Sequence, residues 1–252
     1  MNSWCFGWIS VFILIKFAFS ATEKNPNDLN IKVTTCYGLV IDAGSGGSRM
    51  HVFNWEPRIF TTVPPPISFP TANEAWTARM SPGISTLTTF AAVQNHLAPL
   101  IDFAVSALTG HEQDFEDIPV FFKATGGMRE LPLPLRERIM SWVRISLSNP
   151  GFSPFYFHAD LARIISGEEE AVFSWAAVNF LFGTLLPSSS GSPYVSNGAI
   201  NGFNGTYGTV DLGGASTQIA FFVPSQVIII SINSNDHSFI LLLLHQLSTH
   251  TQ

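Results

Sequence analysis

The sequence predicts an α/β fold, and three observations carry that prediction. Short apolar runs of strand length alternate with longer stretches whose apolar residues recur at helical spacing. Two of the strand-like runs end in an Asp followed by a glycine-rich turn, DAGSGGS at residues 42–48 and DLGGAST at residues 211–217. The composition can fill a core, because 46% of the 252 residues are hydrophobic and 12% are charged, whereas ordinary globular chains carry about 25% charged residues.

The same figures exclude two classes. Twelve Lys and Arg against 18 Asp and Glu leave a net charge of −6, and the mean hydropathy is +0.26. A disordered chain needs high charge and little apolar surface, and a polybasic nucleic-acid binder needs many more cations. At this length the expectation is one large domain or two modest lobes.

At the amino end an apolar run of about 12 residues, 4–15, is broken by Lys16 and followed by Ala18-Phe19-Ser20. That pattern is a signal-peptide core with a small-x-small cleavage site. Residues 1–20 are therefore read as a signal peptide or, left uncleaved, as a signal anchor at a membrane. No basic residue precedes Lys16, and the run is shorter than the roughly 20 residues of a spanning helix. Either reading sends the chain into the secretory pathway, to the Golgi or endoplasmic reticulum lumen or outside the cell. The two cysteines, Cys5 and Cys36, leave no intramolecular disulfide once the leader is removed. Asn204-Gly205-Thr206 is a glycosylation acceptor in a Ser/Gly/Asn-rich stretch.

The elements follow in order. Residues 37–41 read as a buried strand that breaks at Asp42 and resumes over 50–53, a hairpin about a Gly turn. Residues 57–85 are Pro-rich and read as irregular. Residues 87–108 carry a helical apolar stripe with Pro99 inside it. Residues 118–124 form a second buried strand that stops at Thr125-Gly126-Gly127, and a helix follows over 133–147. A short strand is expected at 155–157, a turn at 165–167, a helix over 168–181 and a surface loop over 187–207. Residues 208–212 and 218–223 flank the second Gly turn. Beyond Pro224 come two apolar bursts, the first read as an edge strand and the second, 239–244, with no polar face, as a short helix.

The two Gly turns suit polyphosphate. Glycines let backbone N–H groups converge on phosphate oxygens, and the hydroxyls of Ser45, Ser48, Ser216 and Thr217 add donors. Asp42 and Asp211, at the strand ends, are placed to hold a hydrated divalent cation. The competing interpretation, two tight hairpins with Asp and Gly in ordinary turn roles, weakens when the same grammar occurs twice. Neither turn is a Walker loop or a dinucleotide fingerprint; opposed phosphate hairpins point to the actin-type ATPase superfamily.

Two further segments complete the constellation. In SGEEEAV, Ser166 and Glu169 have capping-box spacing, and Glu168 suits the positive end of the helix dipole. Glu170 has neither role, so it is the candidate to orient and deprotonate a water. In KATGGMRE, Thr125 and the amide of Gly126 sit at a strand end with Arg129 near enough to meet a phosphate oxygen. A plain strand-to-helix turn with a solvated Arg is the alternative there.

Together, YGLVIDAGSGGSRMHVFNW (37–55), FKATGGMREL (122–131), IISGEEEAVFSWAAVNFLFG (164–183) and GTVDLGGASTQIAF (208–221) resemble the first four of the five apyrase motifs of the nucleoside triphosphate and diphosphate phosphohydrolases, which include Golgi nucleoside diphosphatases. SPGIS at 81–85 resembles a further family segment. The resemblance implies hydrolysis of the terminal phosphate of a nucleoside di- or triphosphate, with Ca2+ or Mg2+, in a cleft between two RNase H-like lobes. Residue by residue, it implies that Ser45, Gly46, Gly47, Ser48 and Arg49 bind phosphate and that Asp42 supports the metal. Thr125 would contact phosphate and the attacking water beside Gly126. Glu170 would be the catalytic base, Asp211 the second metal carboxylate, and Gly213, Gly214 and Ala215 the second phosphate loop. Ser216 and Gln218 would position the water.

No fifth motif follows Pro224, so the resemblance implies a C-terminally truncated member with an incomplete second lobe. The expected division is a leader at 1–20, a first lobe at 37–165, the start of a second lobe at 166–223 and an atypical tail at 224–252. The alternative function is a catalytically inactive luminal relative that binds nucleotide. A more distant one, an exopolyphosphatase or sugar-kinase relative, is disfavoured by SGEEEAV and ATGGMRE. No nucleic-acid partner is expected.

Overall fold

The computed structural model describes residues 35–55, 77–182, 184, 206–223, 226–233 and 239–245. The expected leader at 1–20, Asn204 of the glycosylation acceptor and most of the 187–207 loop lie outside them. The chain divides into two units, the first ending at Ile164 and the second running from Ile165.

In the first unit the predicted hairpin forms from β1 (Cys36–Gly44) and β2 (Gly47–Trp55), with Gly44 opposite Gly47. Both strands run further into the motif than their apolar runs indicated, leaving Ser45 and Gly46 as the turn. β3 (Thr77–Met80) pairs antiparallel with β2. The irregular stretch expected over 57–85 is corrected at residues 77–80, while 57–76 lie outside the described residues. Four residues are too few to display a period, and the ladder that β2 offers makes them a strand.

A chain crossover through α1 (Phe90–Ala107) leads to β4 (Val120–Ala124), parallel to β1. The helix is started by Thr89, whose hydroxyl accepts the Ala92 N–H at 3.1 Å, and Pro99 lies inside it. After one helical turn, α2 (Gly126–Arg129), comes α3 (Leu133–Leu147), which matches the predicted helix end for end. The strand expected at 155–157 is only a single bridge between Pro119 and Tyr156. The edge strand is β5 (Ala162–Ile164), parallel to β4. Ala-Arg-Ile carries no alternation of its own, so only the pairing reveals it.

The resulting order is β3-β2-β1-β4-β5. Strand alternation divides its residues between two faces. Leu39, Ile41 and Ala43 of β1, Met50 and Val52 of β2, and Phe122 of β4 meet Val93, Leu97 and Leu100 of α1 and Ile139 and Val143 of α3 in one buried cluster. Each large side chain so buried contributes about 1.5–3 kcal/mol. The opposite face of these strands carries the chemistry: Asp42 on β1, Arg49 and His51 on β2, and Lys123 on β4.

His51 is buried, with its Nδ1 3.3 Å from the Thr77 hydroxyl. Burial, reinforced by the Arg49 charge, pushes its imidazole down from 6.5 to about 4. The folded-state value is depressed, so the stability linked to His51 is fully present above pH 6.5 and is lost as pH falls toward about 4. Over that window the unfolded chain takes up a proton that the folded chain refuses, costing about 3 kcal/mol in all. Urea unfolding at about pH 7.5 and about pH 4.5 is expected to show this loss, and His51→Gln to flatten it. An unchanged pH slope in the variant would remove His51 as the cause.

The second unit is a meander, β6 (Thr209–Leu212), β7 (Ser216–Val223), β8 (Gln226–Asn233) and β9 (Phe239–His245), with neighbours antiparallel throughout. β8 agrees with the expected edge strand in type, although β9 covers its outer side. The short helix expected over 239–244 is overturned: an unbroken apolar run fits either period, and seven residues of pairing with β8 decide it as a strand. Against this sheet lies α4 (Gly167–Leu181), whose Ala171, Trp175 and Ala176 pack on Ala220 and Ile229. Asn179 ties α4 to the chain entering β6. Its Nδ2 donates to the Trp175 and Tyr207 carbonyls, both at 2.8 Å, and its Oδ1 accepts from the Tyr207 N–H at 2.7 Å. Among the described residues no helix is long and apolar enough to cross a membrane.

Candidate active site

The first Gly turn is held from several sides. Ser45 is half-buried, Gly46 is exposed and Gly47 is buried. The Ser81 hydroxyl donates to the Gly46 carbonyl at 3.3 Å. A Cβ at Gly83 would stand 2.1 Å from the Ser45 carbonyl oxygen, and one at Gly127 would stand 2.9 Å from Ser45 Cα. The SPGIS segment and the turn after β4 therefore close on Ser45 at distances that only glycine permits.

Asp42 is buried, and Arg49 Nη1 donates to its Oδ2 at 3.2 Å, directly across the hairpin. On its other side, in register on β4, is Lys123, 1% exposed, whose Nζ donates to the Leu161 carbonyl at 3.2 Å. A carboxylate thus stands between cation-bearing positions on both neighbouring strands. At the end of β4, the Thr125 N–H donates to the Ala43 carbonyl at 3.2 Å, which sets Thr125 and the buried Gly126 beside β1. The Thr125 hydroxyl forms no capping bond to α2, and Arg129 is half-buried at that helix's last residue. Ser48 points elsewhere: it is fully buried on the core face, its Oγ hydrogen-bonded to His96 Nε2 at 2.8 Å.

In the second hairpin Asp211 lies opposite Gln218, and Gln218 lies opposite Ser231. Cross-strand neighbours share a face, so these three form a polar row on the side that carries α4. Gln218 Nε2 donates to Ser216 Oγ at 2.9 Å and to Ser231 Oγ at 3.4 Å. Its Oε1 is buried and has no hydrogen-bond partner among the described residues. The Gly213 N–H donates to the Ser216 carbonyl at 2.9 Å, closing a turn in which Gly213 and Gly214 are exposed and Ala215 is buried.

The three glutamates at the start of α4 separate by role. The Ser166 hydroxyl accepts the Glu169 N–H at 3.2 Å, and Glu169 Oε2 accepts the Ser166 N–H at 3.1 Å. This is the expected capping box. Glu168 and Glu169 are half-buried, and Glu170 is buried.

A divalent cation that prefers hard oxygen ligands suits this donor set. Each unit, taken by itself, offers hard oxygen donors: Asp42 carries a carboxylate in the first, and in the second Asp211 carries one across from Gln218, whose buried Oε1 is an acceptor fit for a metal-bound water. Among the described residues no three His, Cys, Asp or Glu side chains converge on one point.

The first unit brings together Asp42, Ser45, Gly46, Gly47, Arg49, Thr125 and Gly126; the second brings together Asp211, Gly213, Gly214, Ala215, Ser216 and Gln218. Glu170 stands at the start of the helix packed on that second sheet. Lys123, His96 and Ser231 are buried polar groups beside these residues that the sequence reading passed over. Lys123 had a signal, as the one charge in the five-residue strand Val-Phe-Phe-Lys-Ala.

Comparison with known proteins gives a consistent answer. Residues 29–248 match the family described as GDA1/CD39 (nucleoside phosphatase). The chain is similar to the Golgi apyrase of Saccharomyces cerevisiae, 33% identical over 200 residues that cover 73% of this chain and 29% of that protein. It is also similar to the nucleoside-diphosphatase mig-23 of Caenorhabditis elegans, 32% identical over 237 residues, 89% of this chain and 39% of that protein. The chain thus spans roughly a third of the length of these curated relatives. A crystal structure of nucleoside triphosphate hydrolases from Neospora caninum superposes with a TM-score of 0.54 at 20% identity, covering 79% of this chain and 45% of that one. That likeness shows the fold, in agreement with the expected α/β class. The family match also runs through β8 and most of the following segment.

Proposed function

The chain belongs to the GDA1/CD39 (nucleoside phosphatase) family, and from that premise we propose that it hydrolyses the terminal phosphate of nucleoside di- or triphosphates with a water activated by Glu170. One observation supports this above the rest. Of three successive glutamates at the start of α4, the capping box occupies Glu169 and leaves the neighbouring Glu170 buried.

The amides of Ser45, Gly46 and Gly47, with Arg49 beside them, bind phosphate oxygens, and those of Gly213, Gly214 and Ala215 do the same from the second hairpin. Thr125 offers a hydroxyl to the terminal phosphate. Ser216 and Gln218, already bonded to each other, orient the water. Glu170 takes one of its protons as the water oxygen attacks the terminal phosphorus. The bond from that phosphorus to the bridging oxygen breaks, and the leaving nucleotide keeps the electron pair. The products are inorganic phosphate and a nucleotide one phosphate shorter. Asp42 and Asp211 would hold Ca2+ or Mg2+, which supplies neutralisation of phosphate charge when bound.

A luminal or membrane-anchored location in the secretory pathway accompanies this reading, supported by the apolar run and small-x-small site at 4–20. The test is phosphate release by the purified chain from nucleoside di- and triphosphates with added Ca2+ or Mg2+. Release is expected to fall to background with a chelator and to return when the cation is restored. Metal-dependent nucleotide binding without release would instead select a non-catalytic relative.

A further inference from the structure

We propose that His96 is a positioning residue for the first phosphate loop, acting through Ser48. The inference rests on the reading of Ser45, Gly46 and Gly47 as phosphate-binding amides.

Ser48 is the residue at which the turn re-enters the sheet. Its backbone pairs with Ala43 on one side and Met80 on the other. Its hydroxyl faces away from the turn's open side and is fully buried, so it must find its bond inside the protein. His96 supplies that bond from α1, at 2.8 Å and itself 5% exposed. Around it Val93, Leu97 and Leu100 of the same helix are fully buried, so the ring is held by packing and cannot swing away without opening the core. Burial pushes the His96 imidazole below its ordinary value, and the neutral ring keeps one N–H and one acceptor nitrogen, either of which can complete a bond with a hydroxyl.

The consequence is a rigid link between the end of the hairpin and a helix. The turn is tied at one side by Ser81, whose hydroxyl donates to the Gly46 carbonyl, and the strand that leaves it is tied by His96. Amides that must point at a phosphate gain affinity when they are fixed before the ligand arrives. Without the imidazole the Ser48 hydroxyl is buried and unsatisfied, and the turn must shift to relieve it.

The test is a double-mutant cycle on the full chain: His96→Phe, Ser48→Ala, the pair together, and His96→Gln as the conservative variant. KM and kcat are measured with a nucleoside diphosphate, and amide exchange of residues 44–48 is followed without nucleotide. His96→Phe and Ser48→Ala are each expected to raise KM about tenfold with kcat nearly unchanged, the pair to be no worse than either alone, and His96→Gln to recover most of the loss. Exchange at 44–48 should accelerate in the same non-additive way. Effects that multiply in the pair, an unchanged KM, or a Gln variant no better than Phe would overturn the proposal. Should His96→Phe fail to fold, Ser48→Ala and His96→Gln decide through exchange. Should the unsubstituted chain neither bind nor hydrolyse nucleotide, the phosphatase reading fails, while exchange still tells whether His96 holds the turn.

Discussion

Replacing Glu170 by Gln is expected to lower phosphate release about a thousandfold while nucleotide binding stays within about threefold. Gln has the same shape and the same place at the start of α4, but its carboxamide cannot accept a proton from water. The neighbouring Glu169→Gln is the internal control. Gln still accepts the Ser166 N–H in a capping box, so that variant should keep most of its activity despite a similar loss of charge. Phosphate release and calorimetric binding, measured side by side, separate the two. A Glu170→Gln chain retaining more than about a tenth of the rate would take the base role away from Glu170.

Gly83→Ala is expected to raise the KM for nucleotide by more than about tenfold through a residue that touches no substrate. Gly83 has φ −60° and ψ 145°, a conformation open to any residue, so torsion does not require the glycine. Space does. The new Cβ would stand 2.1 Å from the Ser45 oxygen, 2.7 Å from its carbonyl carbon and 3.0 Å from the Gly44 oxygen, all backbone atoms of the first turn. No side-chain rotation can relieve that, so the turn itself must move. The cost in stability should be about 1–3 kcal/mol, as for other overpacked sites, visible as a lowered melting temperature in a chain that still folds. A KM equal to that of the unsubstituted chain would show that Ser45 does not need its present position.

How much was legible beforehand depended on whether a segment carried its own signal. The β1–β2 and β6–β7 hairpins were legible because glycines interrupt apolar runs at a turn, and α3 because fifteen residues repeat at helical spacing between clear stops. β3 and β5 were not. Four and three residues respectively show no period, and each exists because a neighbouring strand offers its ladder. β9 was misread because Phe-Ile-Leu-Leu-Leu-Leu has no polar residue to mark a face. At the candidate site, Asp42, Asp211 and the glutamates of α4 could be picked out by type and spacing. Ser48 was grouped with the phosphate-binding hydroxyls on the same grounds, yet its hydroxyl turns inward to a histidine 48 positions away.

What the sequence determined alone was therefore local chemistry: an α/β chain, two Asp-led glycine turns, a capped helix with a third glutamate left over, and a family resemblance carried by those motifs. These follow from interactions among residues within a few positions of one another, which composition and spacing record. The tertiary structure decided the rest, because strand pairing and core packing join residues that are distant in the chain. It set Arg49 and Lys123 on either side of Asp42, joined Gln218 to Ser231, closed Gly83 onto Ser45, and turned the apolar end of the chain into two strands of a sheet.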